Sequence, residues 1–183
     1  MIKVTGLVQG VGFRPFIHRL ATRHQLRGWV ENRNDGVLIK VNGNKQIINS
    51  FCNNLIQEAP GASSIQEITC EKNGTERFTE FEVRESRDLN NDVTEISPDI
   101  AVCESCLADL KTQPHRIRYP LINCSHCGPR FSIIRDLPYD RSRTTMQPFT
   151  LCPACEREFH NPQDRRFEAQ PNACSICGRR IRL

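Results

Sequence analysis

The chain has 183 residues, and its 25 Lys and Arg against 21 Asp and Glu give a formal charge of +4. At 38% hydrophobic residues it should fold, and no stretch approaches the roughly 20 apolar residues of a membrane span. Composition excludes collagen-like, coiled-coil and largely disordered chains. The first ten residues lack the basic and apolar segments of a secretory signal, so we expect a cytoplasmic protein.

Charge and cysteine are unevenly distributed along the chain. Residues 1–102 carry 12 basic and 13 acidic side chains, whereas residues 103–183 carry 13 and 8. Eight of the ten cysteines lie after residue 102, and only 23 of the 81 residues there are hydrophobic when Cys is left out. That number is small for a hydrophobic core that has no further source of stability. We predict a first domain at 1–88, a polar linker at 89–102 and a second domain at 103–183.

The first domain is predicted to be α+β with the order β-α-β-β-α-β, the split β-α-β or ferredoxin-like arrangement. A strand at Ile2–Thr5 precedes a helix whose apolar face carries Phe13, Ile17, Leu20 and Ala21. Asp35-Gly36 indicates a hairpin between two further strands. Apolar spacing then predicts a helix with Ile48, Phe51, Leu55 and Ile56, and two strands near 65–71 and 78–85 complete the domain.

A glycine-containing loop between the first strand and the first helix is the candidate anion site. It consists of Gln9, Gly10, Val11, Gly12, Phe13 and Arg14. The glycines let backbone N–H groups converge on one point at the N-terminus of a helix, and arginine adds a planar fork suited to phosphate or carboxylate. A plain glycine turn beside a surface arginine is the alternative from spacing alone.

The segment Gly6–Arg14 resembles the signature of the acylphosphatases. Gly28–Asn32, followed by Asp35-Gly36, resembles the second motif of that family, whereas Leu7 stands where the family usually has a basic residue. The resemblance covers residues 1–86. It implies that Arg14 and the loop amides bind the phosphate of an acyl phosphate and that Asn32 orients the attacking water. An amide suits that role because it both donates and accepts hydrogen bonds.

Four Cys-x2-Cys pairs predict two zinc ions in the second domain. Gaps of 17, 24 and 18 residues separate the pairs, and the spacing repeats from one half of the domain to the other. Sequential pairing assigns Cys103, Cys106, Cys124 and Cys127 to the first ion and Cys152, Cys155, Cys174 and Cys177 to the second. A nested pairing stays open. Four thiolates leave no open position on either ion, so both are expected to be structural. The other two cysteines, Cys52 and Cys70, are interpreted as small core residues.

Further motifs of the second half resemble the HypF family of hydrogenase maturation carbamoyltransferases. They are 98–103, 118–124, 127–133, 137–141 and 165–170. The resemblance implies carbamoyl phosphate as substrate and a HypE-type protein as partner, in the synthesis of the cyanide ligands of [NiFe] hydrogenase. Proteins of that family continue into adenylation and transfer domains. We therefore expect this chain to be a fragment or a shortened product, and whether it is active alone stays open.

Three functions are weighed. The leading hypothesis is hydrolysis of an acyl phosphate on a zinc-stabilised scaffold. The alternative is a non-catalytic module that binds an anion through the first domain and contacts protein partners through the zinc domain. Nucleic-acid binding ranks third, because the sequence has no basic stripe interleaved with aromatic residues and no recognition helix of the expected finger type. Two four-thiolate zinc sites lower the formal charge by four, which weakens this hypothesis further.

Overall fold

The structure is a computed structural model that describes residues 1–72, 76–87 and 94–179. Its first half, residues 1–87, contains five strands and two helices: β1 (Ile2–Leu7), α1 (Phe13–Arg23), β2 (Arg27–Arg33), β3 (Gly36–Asn42), α2 (Lys45–Gln57), β4 (Ser64–Cys70) and β5 (Phe81–Val83). Within the described ranges, no helix has the length and apolar character needed to cross a bilayer.

The five strands form one sheet in the order β4-β1-β3-β2-β5. β1 pairs antiparallel with β3 and β4, and β2 pairs antiparallel with β3 across the predicted hairpin. β5 joins the far edge parallel to β2 and is shorter than the predicted 78–85. The ferredoxin-like prediction is confirmed. It places the β1–α1 loop beside β2.

The predicted helix faces supply six of the fifteen buried residues of the core, and strands and loops supply the rest. Phe13, Ile17, Leu20 and Ala21 of α1 are buried, as are Phe51 and Leu55 of α2. Ile56 is exposed and does not belong to this face. Cys52 borders the core, but Cys70 is exposed because β4 is an edge strand, so its assignment to the core is wrong.

The second half contains little regular structure. Its elements are α3 (Glu104–Thr112), two 3₁₀ turns at Phe131–Ile133 and Arg141–Arg143, and α4 (Pro153–His160). Each helix begins directly after the first cysteine of a Cys-x2-Cys pair. The apolar cluster of this half is small, and three of its six buried residues are cysteines. We call residues 103–179 the cysteine half.

The segment between the two halves packs on the first one. Thr94 donates a backbone hydrogen bond to the Asn34 carbonyl (2.6 Å) and a side-chain hydrogen bond to the Gly6 carbonyl (2.8 Å). Ser97 is buried. Residues 88–93, at the start of the predicted linker, lie outside the described residues. The domain limits at 88 and 103 therefore stay a prediction.

Candidate functional site

The β1–α1 loop has the conformation expected of an anion nest. Gly10 and Gly12 adopt φ values of 72° and 75°, and Gly12 caps the N-terminus of α1. Within the described residues, no group accepts a hydrogen bond from the N–H groups of Gly10, Val11 or Gly12. These donors stay available at the positive end of the helix, where an anion is favoured.

Arg14 is buried in the first turn of α1 and contacts the cysteine half. Its Nη2 donates to the Tyr139 carbonyl (3.3 Å) and lies 2.7 Å from Asp140 Oδ1 and 3.7 Å from Glu168 Oε2. No described residue accepts from its Nε or Nη1. One side of the fork is therefore held by the cysteine half, while the other keeps donors for a ligand.

The charge on Arg14 is secured by its neighbours. Burial alone lowers the pKa of Arg14, but the carboxylates of Asp140 and Glu168 outweigh burial and raise it above its ordinary value. The same burial raises the pKa of Glu168, and Arg14 only partly opposes this effect. The site therefore contains one cation whose charge is secured by its neighbours and one carboxyl group whose pKa lies above its ordinary value.

Asn32, the second predicted catalytic residue, lies beside Arg14. It is buried in β2, and its Nδ2 donates to the same Tyr139 carbonyl at 3.1 Å. Its Oδ1 is buried without a hydrogen-bond partner. An amide oxygen held in this way can accept a hydrogen bond from a water molecule, which the predicted role requires.

The Gln9 side chain forms hydrogen bonds to both halves of the chain. Its Nε2 donates to the carbonyls of Arg33 (2.6 Å) and Gly36 (3.0 Å), and its Oε1 accepts from the Tyr139 N–H (2.9 Å). The side chain therefore fixes Tyr139 against the hairpin. Gln9 is thus a predicted loop residue whose side chain links the hairpin to Tyr139.

The first Cys-x2-Cys-Gly segment covers the glycine loop. A Cβ on Gly12 would lie 2.7 Å from the Ser125 carbonyl oxygen, and one on Gly10 would lie 3.0 Å from Arg130 Cδ. Arg130 is buried and its side chain folds back on the segment that precedes it. It donates hydrogen bonds to the carbonyls of Cys127, Gly128, Pro129 and Ser125. Glycine is needed at Gly10 and Gly12 both for the backbone angle and for this close approach.

A small cavity lies between the halves at this point. The space in it that is open to water is about 20 Å³. Its walls come from both halves and include Gly10, Arg14, Asn32, Arg130, Tyr139 and Glu168.

The eight knuckle cysteines form two clusters in sequential order. The four Sγ atoms of Cys103, Cys106, Cys124 and Cys127 lie within 4.8 Å of one another, and the same holds for Cys152, Cys155, Cys174 and Cys177. Five of these Sγ–Sγ distances lie between 3.6 and 3.9 Å. A tetrahedron with metal–sulfur bonds of about 2.3 Å has edges of about 3.8 Å, so both clusters fit structural zinc. A third group, around His115, shares Cys155 with the second cluster.

An arginine from each repeat contacts the other repeat. Arg116 of the first repeat is fully buried and donates to Cys155 Sγ (3.3 Å) and to Glu158 Oε1 (2.7 Å) of the second. Arg166 of the second repeat donates to Asp109 Oδ2 (2.6 Å) of the first. A zinc ion with four thiolates carries a net charge of −2, and these guanidinium groups offset part of it. Each repeat therefore stabilises the centre of the other.

Sequence reasoning missed the part of the site that the cysteine half contributes. Tyr139 and Asp140 lie in the 137–141 motif and Glu168 in the 165–170 motif, which served only to support a family resemblance. The available signal was an acidic residue in each of two motifs to which neither zinc binding nor the predicted core assigned a role. Local spacing could not connect either motif to Arg14.

Both halves of the chain match families of known proteins. Residues 1–83 match the Acylphosphatase family, and residues 102–134 and 151–183 match the HypF finger. The chain is 45% identical over 183 residues to carbamoyltransferase HypF of Rhodobacter capsulatus, covering all of this chain and 24% of that protein. It is 33% identical over 84 residues to the acylphosphatase of Thermotoga maritima, covering 45% of this chain and 92% of that protein.

A solved structure extends the similarity to the arrangement of the halves. The crystal structure of full-length HypF in the phosphate- and nucleotide-bound form aligns with 97% of this chain at a TM-score of 0.92 and 44% identity. The aligned part is 24% of that protein. The chain therefore spans about a quarter of the length of its HypF relatives.

Proposed function

Since this chain belongs to the acylphosphatase family and carries the HypF finger in its second half, we propose that it hydrolyses an acyl phosphate and that carbamoyl phosphate is the substrate. The observation that carries the proposal is the meeting of Arg14 and Asn32. Both donate to the Tyr139 carbonyl beside a glycine loop with free N–H groups. This gives a cation, an anion nest and a water acceptor at one buried point.

The residues of the site divide the reaction between them. The N–H groups of Gly10, Val11 and Gly12 bind the phosphate with the free Nε and Nη1 of Arg14. The Asn32 Oδ1 atom accepts a hydrogen bond from a water molecule and directs it at phosphorus. Positioning and charge neutralisation are the main requirements of phosphoryl transfer.

The bond changes balance without a further reactant. The water oxygen bonds to phosphorus, and the bond from phosphorus to the bridging acyl oxygen breaks. The acyl group leaves as a carboxylate, which is carbamate when the substrate is carbamoyl phosphate. A proton of the water passes to a phosphate oxygen. The cysteine half covers the loop and thereby excludes bulk water from this step.

Within the larger system, the chain corresponds to the N-terminal quarter of a HypF-type carbamoyltransferase. Its similarity to the Rhodobacter capsulatus protein over all 183 residues supports this assignment. The carbamate formed here would be consumed by the adenylation and transfer domains of that enzyme. Its carbamoyl group would pass to a HypE-type protein in the cytoplasm, for the cyanide ligands of [NiFe] hydrogenase.

The direct test is phosphate release from carbamoyl phosphate and acetyl phosphate by the purified, zinc-loaded chain. The reaction is run in ¹⁸O-labelled water and followed by phosphorus NMR. We expect enzymatic release with one labelled oxygen in the phosphate, and loss of most activity in Asn32→Ala. Absence of turnover together with tight carbamoyl phosphate binding would instead support the non-catalytic anion-binding module.

A further inference from the structure

Glu168 is the carboxylate that the cysteine half places in the wall of the cavity. Its Oε2 accepts from Gln170 Nε2 (3.2 Å) and lies 3.7 Å from Arg14 Nη2. No described residue donates a hydrogen bond to its Oε1. The side chain as a whole is 15% exposed. Oε1 is therefore an acceptor that lies next to the predicted substrate site and lacks a donor among the described residues.

Asp140, the other carboxylate beside Arg14, is differently occupied. Its Oδ1 lies 2.7 Å from Arg14 Nη2, and its Oδ2 accepts from the Ser86 N–H at 3.0 Å. Both oxygens therefore have partners. Asp140 holds Arg14 in place, whereas Glu168 keeps one oxygen for a ligand.

Acyl phosphates differ in the group attached to the carbonyl carbon. Carbamoyl phosphate has an NH₂ group with two hydrogen-bond donors, whereas acetyl phosphate has a methyl group of similar size with none. A site built to accept from a substrate NH rejects the analogue that lacks it, because the buried acceptor is then left without a partner. An acidic acceptor in the cavity wall therefore favours the carbamoyl group.

We propose that Glu168 Oε1 accepts a hydrogen bond from the NH₂ group of carbamoyl phosphate and thereby selects carbamoyl over acetyl phosphate. The inference rests on the proposed function for the identity of the substrate, and it adds a specificity-determining residue from outside residues 1–87, the acylphosphatase half. The acylphosphatase of Thermotoga maritima, 92% of which aligns with 84 residues, is too short to contain the cysteine half. The carboxylate is thus an addition that comes with the HypF finger region.

The test compares two substrates on the zinc-loaded chain of residues 1–183. Equilibrium binding of carbamoyl phosphate, acetyl phosphate and inorganic phosphate is measured by calorimetry in short runs, and kcat/KM is measured for the two acyl phosphates. The proteins are wild type, Glu168→Ala, Glu168→Gln and Glu67→Ala, whose glutamate is exposed on β4. Zinc content and circular dichroism verify that each variant is folded.

The wild type is expected to prefer carbamoyl over acetyl phosphate, and Glu168→Ala to reduce that preference about tenfold to a hundredfold, the range of a hydrogen bond to a charged group. Glu168→Gln should retain part of the preference through its amide oxygen, so it tests the proposal even if the alanine variant fails to fold. Glu67→Ala should match the wild type.

Two results would overturn the proposal. One is a wild type that binds the two acyl phosphates equally well. The other is an equal loss for both acyl phosphates and inorganic phosphate in Glu168→Ala, which would show that Glu168 acts only through Arg14. Failure of the proposed function is a separate outcome: the chain would then bind carbamoyl phosphate with a preference that depends on Glu168, yet release no phosphate.

Discussion

Asp140 of the cysteine half forms an ion pair of 2.7 Å with Arg14 of the acylphosphatase half. Arg14 is also the predicted phosphate ligand, so the pair joins the two halves at the point where chemistry is proposed. The Asp140 carboxylate holds one nitrogen of the guanidinium fork and leaves the others free. The cysteine half is therefore part of the site as well as a scaffold attached to it.

The ion pair predicts that Asp140→Asn impairs hydrolysis without releasing zinc. Loss of the charge leaves Arg14 less firmly oriented, and we expect kcat/KM for carbamoyl phosphate to fall roughly tenfold to a hundredfold. Phosphate release and metal content are measured on the same preparation. Asp136→Asn is the matched control, because Asp136 pairs with Arg143 at the surface with 73% of its side chain exposed. Equal activity in the two variants would contradict the positioning role.

The close approach of the halves predicts a defect in Gly12→Ala. The alanine would need the left-handed φ of 75°, and its Cβ would lie 2.7 Å from the Ser125 carbonyl oxygen. We expect the free energy of unfolding to fall by about 1–3 kcal/mol. Urea unfolding measures the loss. Gly61→Ala is the control, since a Cβ there meets nothing within 4 Å. If both variants unfold alike, the described contact does not form.

The contact of Arg116 with Glu158 of the other repeat predicts that Arg116→Met destabilises the cysteine half. The substitution leaves the Glu158 carboxylate, which is 11% exposed, without its main partner. Breaking such a buried pair lowers the free energy of unfolding by about 3–5 kcal/mol. Denaturant unfolding and the zinc content of each variant check this, with the exposed Arg135→Met as control. Unchanged stability in Arg116→Met would contradict this contact between the repeats.

Burial of Glu168 predicts a pH effect on stability. Desolvation raises the pKa of its carboxyl above the ordinary value of 4.5, so the folded chain keeps a proton that the unfolded chain has released. Stability contributed by this group therefore rises as the pH falls from neutral towards 4.5. The difference in free energy of unfolding between the wild type and Glu168→Gln should shift in favour of the wild type over that range. Losses of zinc at low pH affect both proteins and cancel in the comparison. A difference that shifts towards the variant on acidification would show that the pKa of Glu168 is not raised.

The parts of the molecule that sequence predicts well are local ones. The face Phe13, Ile17 and Leu20 follows helical spacing, and Asp35-Gly36 specifies a hairpin by its backbone preferences. The cysteine pairs fall into the predicted clusters because each knuckle is a short local unit and sequential partners are near in the chain. For the same reason, the glycine loop and Arg14 could be assigned together.

The parts that sequence could not predict depend on long-range packing. Asp140 and Glu168 reach Arg14 only because the cysteine half folds back over the β1–α1 loop, and no periodicity encodes that docking. Likewise, Cys70 follows an apolar alternation that suggests burial, but it lies on the edge strand β4 and is exposed. Strand order and domain docking are properties of the whole fold.

The central claim is that Arg14 provides the charge for acyl-phosphate hydrolysis. The most direct measurement is kcat/KM for carbamoyl phosphate in Arg14→Ala, compared with Arg23→Ala, an exposed arginine of the same helix that pairs with Glu58. By analogy with transition-state arginines, we expect a loss of about a thousandfold or more for Arg14→Ala. We expect near-normal turnover for Arg23→Ala. Near-normal turnover by folded, zinc-loaded Arg14→Ala would contradict the account.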